Sequence, residues 1–162
     1  MIVVSDATPI ISLAKIGMLD ILGSFFNEVL LPNAVFDEVC CNPNFASEAE
    51  AIQNCGHIRI ESLCNEQPVR ILRAAGLGLG ESEAIALADS LVGSLLLIDE
   101  RKGRQIALSM GIQVTGTLGI LLQAKKHGLI NEIKPYLDAL LKENIRISDI
   151  LYNSMLEQAG EL

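Results

Sequence analysis

The chain has 162 residues, half of them hydrophobic but only 4% aromatic, and a formal charge of −8 from 12 basic and 20 acidic side chains. That length suits one domain with a complete aliphatic core, and the acidic balance excludes a general nucleic-acid binder held by a basic surface, while leaving room for a clustered acidic site that binds cation or for a basic partner. No stretch approaches 18 uncharged apolar residues, so no membrane span is expected, and Asp6 and Lys15 interrupt the N-terminal apolar run as a secretory signal would not allow.

The first strand is expected at Ile2–Ser5, running into Asp6, and helical patterning then covers Pro9–Leu22. A second strand, Glu28–Leu31, meets Pro32, which a first helical turn tolerates, and the helix Asn33–Cys40 carries Glu38. After the Asn42-Pro43-Asn44 break come a helix at Ala46–Asn54, a strand at Ile58–Glu61 and a helix at Val69–Ala75. The glycine loop Gly76-Leu77-Gly78-Leu79-Gly80 is the second clear break. It leads into a helix at Glu81–Leu91 and the strand Leu95–Ile98, which ends at Asp99. A helix at Arg101–Met110, a strand at Gln113–Thr115 and helices at Gly119–His127, Ile133–Glu143 and Ser148–Gln158 complete the chain. Short strands rich in Val, Ile and Leu, alternating with helices, predict an α/β domain with a mostly parallel sheet. Both breaks read as loops inside one domain spanning 1–162, in which residues 129–162 form a C-terminal helical extension, a cap or a dimerisation element.

Four carboxylates stand where strand and helix meet. Asp6 and Asp99 end apolar strands, Glu81 opens a helix and Glu38 lies on one. An acid ending a buried strand is costly unless water, a partner or a cation satisfies it. In a parallel α/β sheet the loops leaving the strands share the carboxyl edge, where ligands bind. The helix from Glu81 runs away from that edge and the strand ending at Asp99 returns to it, so Asp6, Glu81 and Asp99 are expected together. Glu38 lies about 9 Å below the edge at 1.5 Å per residue, and joins them only if its helix face turns toward Asp6; Asp37, about 100° round the helix, cannot share that face. Acids converging there suit a hard divalent cation such as magnesium or manganese.

Each acid also has a plainer role open to it. Asp6 serves equally as the N-cap of the first helix, Glu81 as a charge at the positive end of its own, Glu38 as a solvated surface acid and Asp99 as a turn residue before Arg101. Glu83 is a second helix-start acid or a spare ligand. The four cysteines (Cys40, Cys41, Cys55 and Cys64) form no C-x-x-C pair. Free, mostly buried thiols in a reducing cytoplasmic setting are expected, with a zinc site or disulfide framework as alternatives. Gly76-x-Gly78-x-Gly80 is not the G-x-G-x-x-G fingerprint and lacks a P-loop lysine, and Glu81 and Glu83 would repel phosphate from the next helix start. A phosphoryl-transfer nucleophile at Asp6 would need an aspartate two residues on, where this chain has Thr8. Lys125-Lys126-His127 reads as a charge cluster at a helix C-terminus.

The segments Val3-Val4-Ser5-Asp6-Ala7-Thr8-Pro9-Ile10-Ile11, Leu31-Pro32-Asn33-Ala34-Val35-Phe36-Asp37-Glu38-Val39, Gly78-Leu79-Gly80-Glu81-Ser82-Glu83-Ala84-Ile85-Ala86-Leu87-Ala88 and Leu97-Ile98-Asp99-Glu100-Arg101 together resemble, in order and spacing, a PIN domain, the metal-dependent ribonuclease fold of VapC-type toxins. Gly116-Thr117-Leu118-Gly119-Ile120-Leu121 resembles the tail of a poorly characterised prokaryotic PIN subfamily, and the likeness runs over roughly residues 1–130. It implies a three-layer α/β/α fold whose acids Asp6, Glu38, Glu81 and Asp99 hold one or two Mg²⁺ or Mn²⁺ ions. Many PIN domains have Asp at the third place, so Glu81 is a departure. Thr8 matches a small hydroxyl residue that holds a metal-bound water. The resemblance further implies an endoribonuclease that cleaves RNA as the toxin of a toxin–antitoxin pair, with an antitoxin and a second copy of the chain as partners. A homodimer is expected also from the high apolar fraction and helical C-terminal third. Arg101, Lys102 and Arg104 are the candidates for contact with RNA phosphates; the plainer reading is an exposed basic turn that begins a helix. A PIN-fold module that binds RNA or protein without cutting is the alternative function.

Overall fold

The computed structural model describes residues 1–162. Five strands, β1 (Val3–Ser5), β2 (Val29–Pro32), β3 (Ile58–Glu61), β4 (Leu95–Leu97) and β5 (Gln113–Thr115), form one sheet in the order β3-β2-β1-β4-β5. Every pairing is parallel, so all five strands end at one edge. Ten α-helices connect and cover them: α1 (Ala7–Lys15), α2 (Ile21–Phe25), α3 (Asn33–Cys40), α4 (Ala46–Gln53), α5 (Gln67–Ala74), α6 (Leu79–Ser90), α7 (Arg101–Ser109), α8 (Thr117–Lys126), α9 (Lys134–Lys142) and α10 (Asp149–Gln158).

The two-residue period of the strands divides the core. Val3, Leu31 and Leu97 point to one face and pack with Ile10, Val35, Leu121 and Leu137. Val4, Leu30 and Leu96 point to the other and pack with Leu72, Ile85 and Ala107. The central strands are apolar on both faces because helices cover both, which makes this the three-layer α/β/α arrangement. At roughly 1.5–3 kcal/mol per fully buried aliphatic side chain, these two clusters are the main favourable term in folding. Residues of α9 and α10, among them Leu137, Leu140, Met155 and Leu156, join the same cluster as β1. Glu161 fastens that end by accepting from the N–H groups of Ile133 and Lys134 and pairing with Lys125. No helix is long and apolar enough to cross a membrane.

Three expectations need correction. The helix expected over Pro9–Leu22 is two helices: Gly17 takes φ +69° after α1, a left-handed turn that glycine adopts without steric penalty, and the turned chain brings Leu19 into the core. Pro32 does not open α3. It ends β2, paired with Glu61 and extended at the N-cap position. All four cysteines are free, but only Cys55 is buried; Cys41 and Cys64 are exposed because one follows the end of α3 and the other lies in the loop before α5.

Candidate active site

Asp6 leaves β1 at the centre of the sheet's carboxyl edge, and its backbone N–H bonds the carbonyl of Leu97 on neighbouring β4. It occupies the N-cap position of α1, yet its side chain makes no capping hydrogen bond there. The carboxylate instead lines a cavity of about 270 Å³ shared with Thr8, Glu38, Asn42, Gly80 and Glu81. Asp6 is only 4% exposed and has no ion pair. Burial pushes its carboxyl from 3.8 up to about 7, helped by the charges of Glu81, Glu38 and Asp99, while the Ala7 N–H pulls the other way.

Glu38 reaches the cavity from α3 although it lies in the second half of that helix, two residues before its end. Gly80, in the first turn of α6, makes the approach possible. A methyl group on Gly80 would lie 3.3 Å from Glu38 Oε2 and 3.8 Å from Asp6 Oδ1, so both carboxylates crowd onto this one bare backbone position. Burial, then the charge of Glu81, raises the Glu38 carboxyl above its usual range. Glu38 and Asp37 are both exposed, but only Glu38 lines the cavity.

Helix α6 begins at Leu79, two residues before Glu81, so Glu81 is the third residue of the helix. Its Oε2 accepts from the Gly78 N–H at 3.3 Å, which ties one oxygen to the helix start and fixes the side chain beside the cavity. The plainer role and the site role therefore coexist in one residue.

Asp99 lies beyond the cavity wall, close enough for its charge to act on Asp6. The N–H of Thr117 donates to Oδ1 at 2.8 Å and the Thr117 hydroxyl to Oδ2 at 2.7 Å. Charge-assisted bonds to both oxygens fix the carboxylate at the positive end of α8. A Cβ on Gly116 would stand 2.4 Å from Asp99 Oδ1, so glycine is required beneath it. Composition did not single out Thr117; the signal lies in register. Leu97 pairs with Thr115, so the residues two further along the two parallel strands emerge side by side.

Glu83 and Arg104 are engaged away from the acidic cavity. Glu83 Oε1 accepts from the Ala34 N–H at 3.1 Å, capping α3, and the residue lines a different cavity. Arg104 is half-buried and donates to the carbonyl of Ile98 at 2.9 Å, so it braces the end of β4. Arg101 and Lys102 are exposed at the start of α7, and Thr8 is exposed at the cavity rim.

No three of these side chains are gathered into a closed chelate. Their donor set nevertheless fits a hard divalent cation. Asp6 is a buried acid with three like charges pressing on it and no basic side chain to compensate them, and the charged groups lining the cavity are all carboxylates, the ligand type of magnesium and manganese.

A family profile described as a PIN domain matches residues 2–161 of the chain. No curated protein and no solved structure matches it.

Proposed function

The chain belongs to the PIN-domain family, a nuclease-type fold whose members typically bind divalent metals, and from that premise we propose that it is a Mg²⁺- or Mn²⁺-dependent endoribonuclease. The observation that supports this most is the cavity that Asp6, Glu38 and Glu81 line together at the carboxyl edge, with the charge of Asp99 acting on Asp6. These four acids would hold the ion. When bound, the ion supplies a polarised phosphodiester oxygen and a water of lowered pKa. The residues do the positioning. Asp6 is the most deeply buried of the four acids, Glu81 keeps one oxygen for the cavity while Gly78 holds the other, and Thr117 sets the angle of Asp99. Carboxylates orient the attacking water by accepting its hydrogens, and none of the four has to act as a covalent nucleophile.

The toxin role, with a basic antitoxin segment and a second copy of the chain as partners, belongs to the same proposal. The charge of −8 and the exposed apolar side chains of Ile71, Val92 and Ile150 support such partners. One observation favours a second reading, a module that binds without cutting: Asp99 is engaged through both oxygens by Thr117 and does not line the cavity of the other three acids.

The test is cleavage of single-stranded RNA by purified protein. Activity should need Mg²⁺ or Mn²⁺ and stop with EDTA. Asp6→Asn and Asp99→Asn should each lose about tenfold or more, and Asp37→Asn should behave as wild type. Equal cleavage by wild type and both site variants would refute the assignment; metal binding without cleavage of varied RNAs would select the binding module.

A further inference from the structure

Four carboxylates repel the very polyanion they are proposed to cut, so something on this acidic chain must hold the strand against them. The sheet order shows where to look. Asp6 lies at the middle strand, with β4 and β5 to one side and β2 and β3 to the other. Arg101 and Lys102 sit beyond β4, at the start of α7. On the β2–β3 side a second cavity, of about 370 Å³, opens at the same carboxyl edge. Asn33 enters it directly after β2 and Ser62 directly after β3, joined by a 3.0 Å hydrogen bond. Arg70 and Arg73 line it from α5, three residues apart and so on one helix face.

The geometry points to this cavity as a binding subsite for the backbone phosphate of an RNA nucleotide flanking the cleavage position, with Arg70 and Arg73 as its ligands. The inference rests on the nuclease reading of the acidic site. Four features support it. The two cavities share Leu79, whose side chain is 43% exposed on the ridge between them, and Glu81 and Glu83 of α6 line opposite sides of that ridge. Both arginines are exposed, and neither is ion-paired, whereas Arg59 on β3 is occupied by Glu28 and Glu61. Of the two acids in the cavity, Glu83 is engaged by the Ala34 N–H, and Glu66 pairs with neither arginine. Guanidinium groups match phosphate oxygens by paired N–H donors, which lysine cannot imitate. Cations on both flanks give a single strand a path across the edge, over Leu79 and past Asp6.

The experiment measures binding of a labelled single-stranded oligoribonucleotide in EDTA, where no cutting occurs, as salt is raised. It then measures cleavage with Mn²⁺. Each phosphate contact on a single strand contributes about 0.7 to the slope of log K against log salt. R70Q/R73Q should lose roughly 1.4 from that slope and about tenfold or more in low-salt affinity. R70Q and R73Q singly should each lose about 0.7, half of the double variant's loss. In cleavage the double variant should raise KM and keep kcat. An unchanged slope and KM in the double variant, with wild type still cutting, would overturn the subsite and leave the nuclease standing. Binding that depends on both arginines in a protein that never cuts would keep the subsite and overturn the nuclease. Wild type that neither binds nor cuts would overturn both.

Discussion

Asp6→Asn should stabilise the metal-free protein at neutral pH while weakening its use of metal. In the folded chain burial and three neighbouring carboxylates push the Asp6 carboxyl from 3.8 to about 7. Below the lower value it is protonated whether the chain is folded or not, and its full contribution to stability is present. Between the two values the unfolded chain is ionised while the folded protein keeps its proton. The folded state then binds more protons, and stability falls as pH rises until the pH passes about 7. A gap of roughly three pH units, at 1.36 kcal/mol per unit, corresponds to about 4 kcal/mol, an upper figure because water and side chains relax around the charge. Asparagine keeps the shape and cannot ionise. Urea unfolding of wild type and variant in EDTA should therefore show a difference that grows in the variant's favour between pH 4 and pH 8. Millimolar Mg²⁺ should narrow it at pH 8, because a ligand that binds only the folded wild type stabilises that protein alone. A difference that does not change with pH, or a variant less stable at pH 8, would refute the reasoning.

Thr117→Val removes the hydroxyl bonded to Asp99 Oδ2 and keeps the backbone N–H bonded to Oδ1. It should cost about 1.5–3 kcal/mol in denaturant unfolding, the range for a hydrogen bond to a charged group, and weaken Mn²⁺ binding; serine at the same position should restore both. Gly80→Ala should raise the melting temperature slightly, because alanine favours a helix by up to about 1 kcal/mol. It should also lower metal affinity, because the new methyl group sits 3.3 Å from Glu38 Oε2 and 3.8 Å from Asp6 Oδ1; calorimetric titration with Mg²⁺ showing wild-type affinity would count against the crowded floor of the cavity.

The central strands β1, β2 and β4 were readable as short apolar runs buried on both faces, and the edge strands β3 and β5, partly exposed and mixed in composition, still fall on the expected residues. Helix starts were less legible. Periodicity reports the buried stripe, whereas a start is fixed by turns such as Gly78, whose N–H is held by a side chain three residues ahead. The break at Gly17 was hidden for a related reason. Apolar residues continue through Ile16, Met18 and Leu19, so a helical pattern persists across a backbone that has already reversed.

Asp6, Glu81 and Asp99 could be brought to one edge from topology alone, since strand ends and helix starts in a parallel sheet share it. What holds each of them could not, because that depends on which strands are neighbours. Asp99 meets Thr117 only because β5 lies beside β4 in matched register, and Glu38 reaches Asp6 only because Gly80 leaves space between α3 and α6. The same limit applies to charge. A total of −8 sums over the whole surface, but a strand of RNA would meet one edge, where Arg70 and Arg73 lie on one side of the acids and Arg101 and Lys102 on the other. At physiological ionic strength fields decay within about 8 Å. The cations next to the site therefore weigh more in binding than the acids spread over the remaining surface, and an acidic protein is not thereby unsuited to a polyanionic substrate.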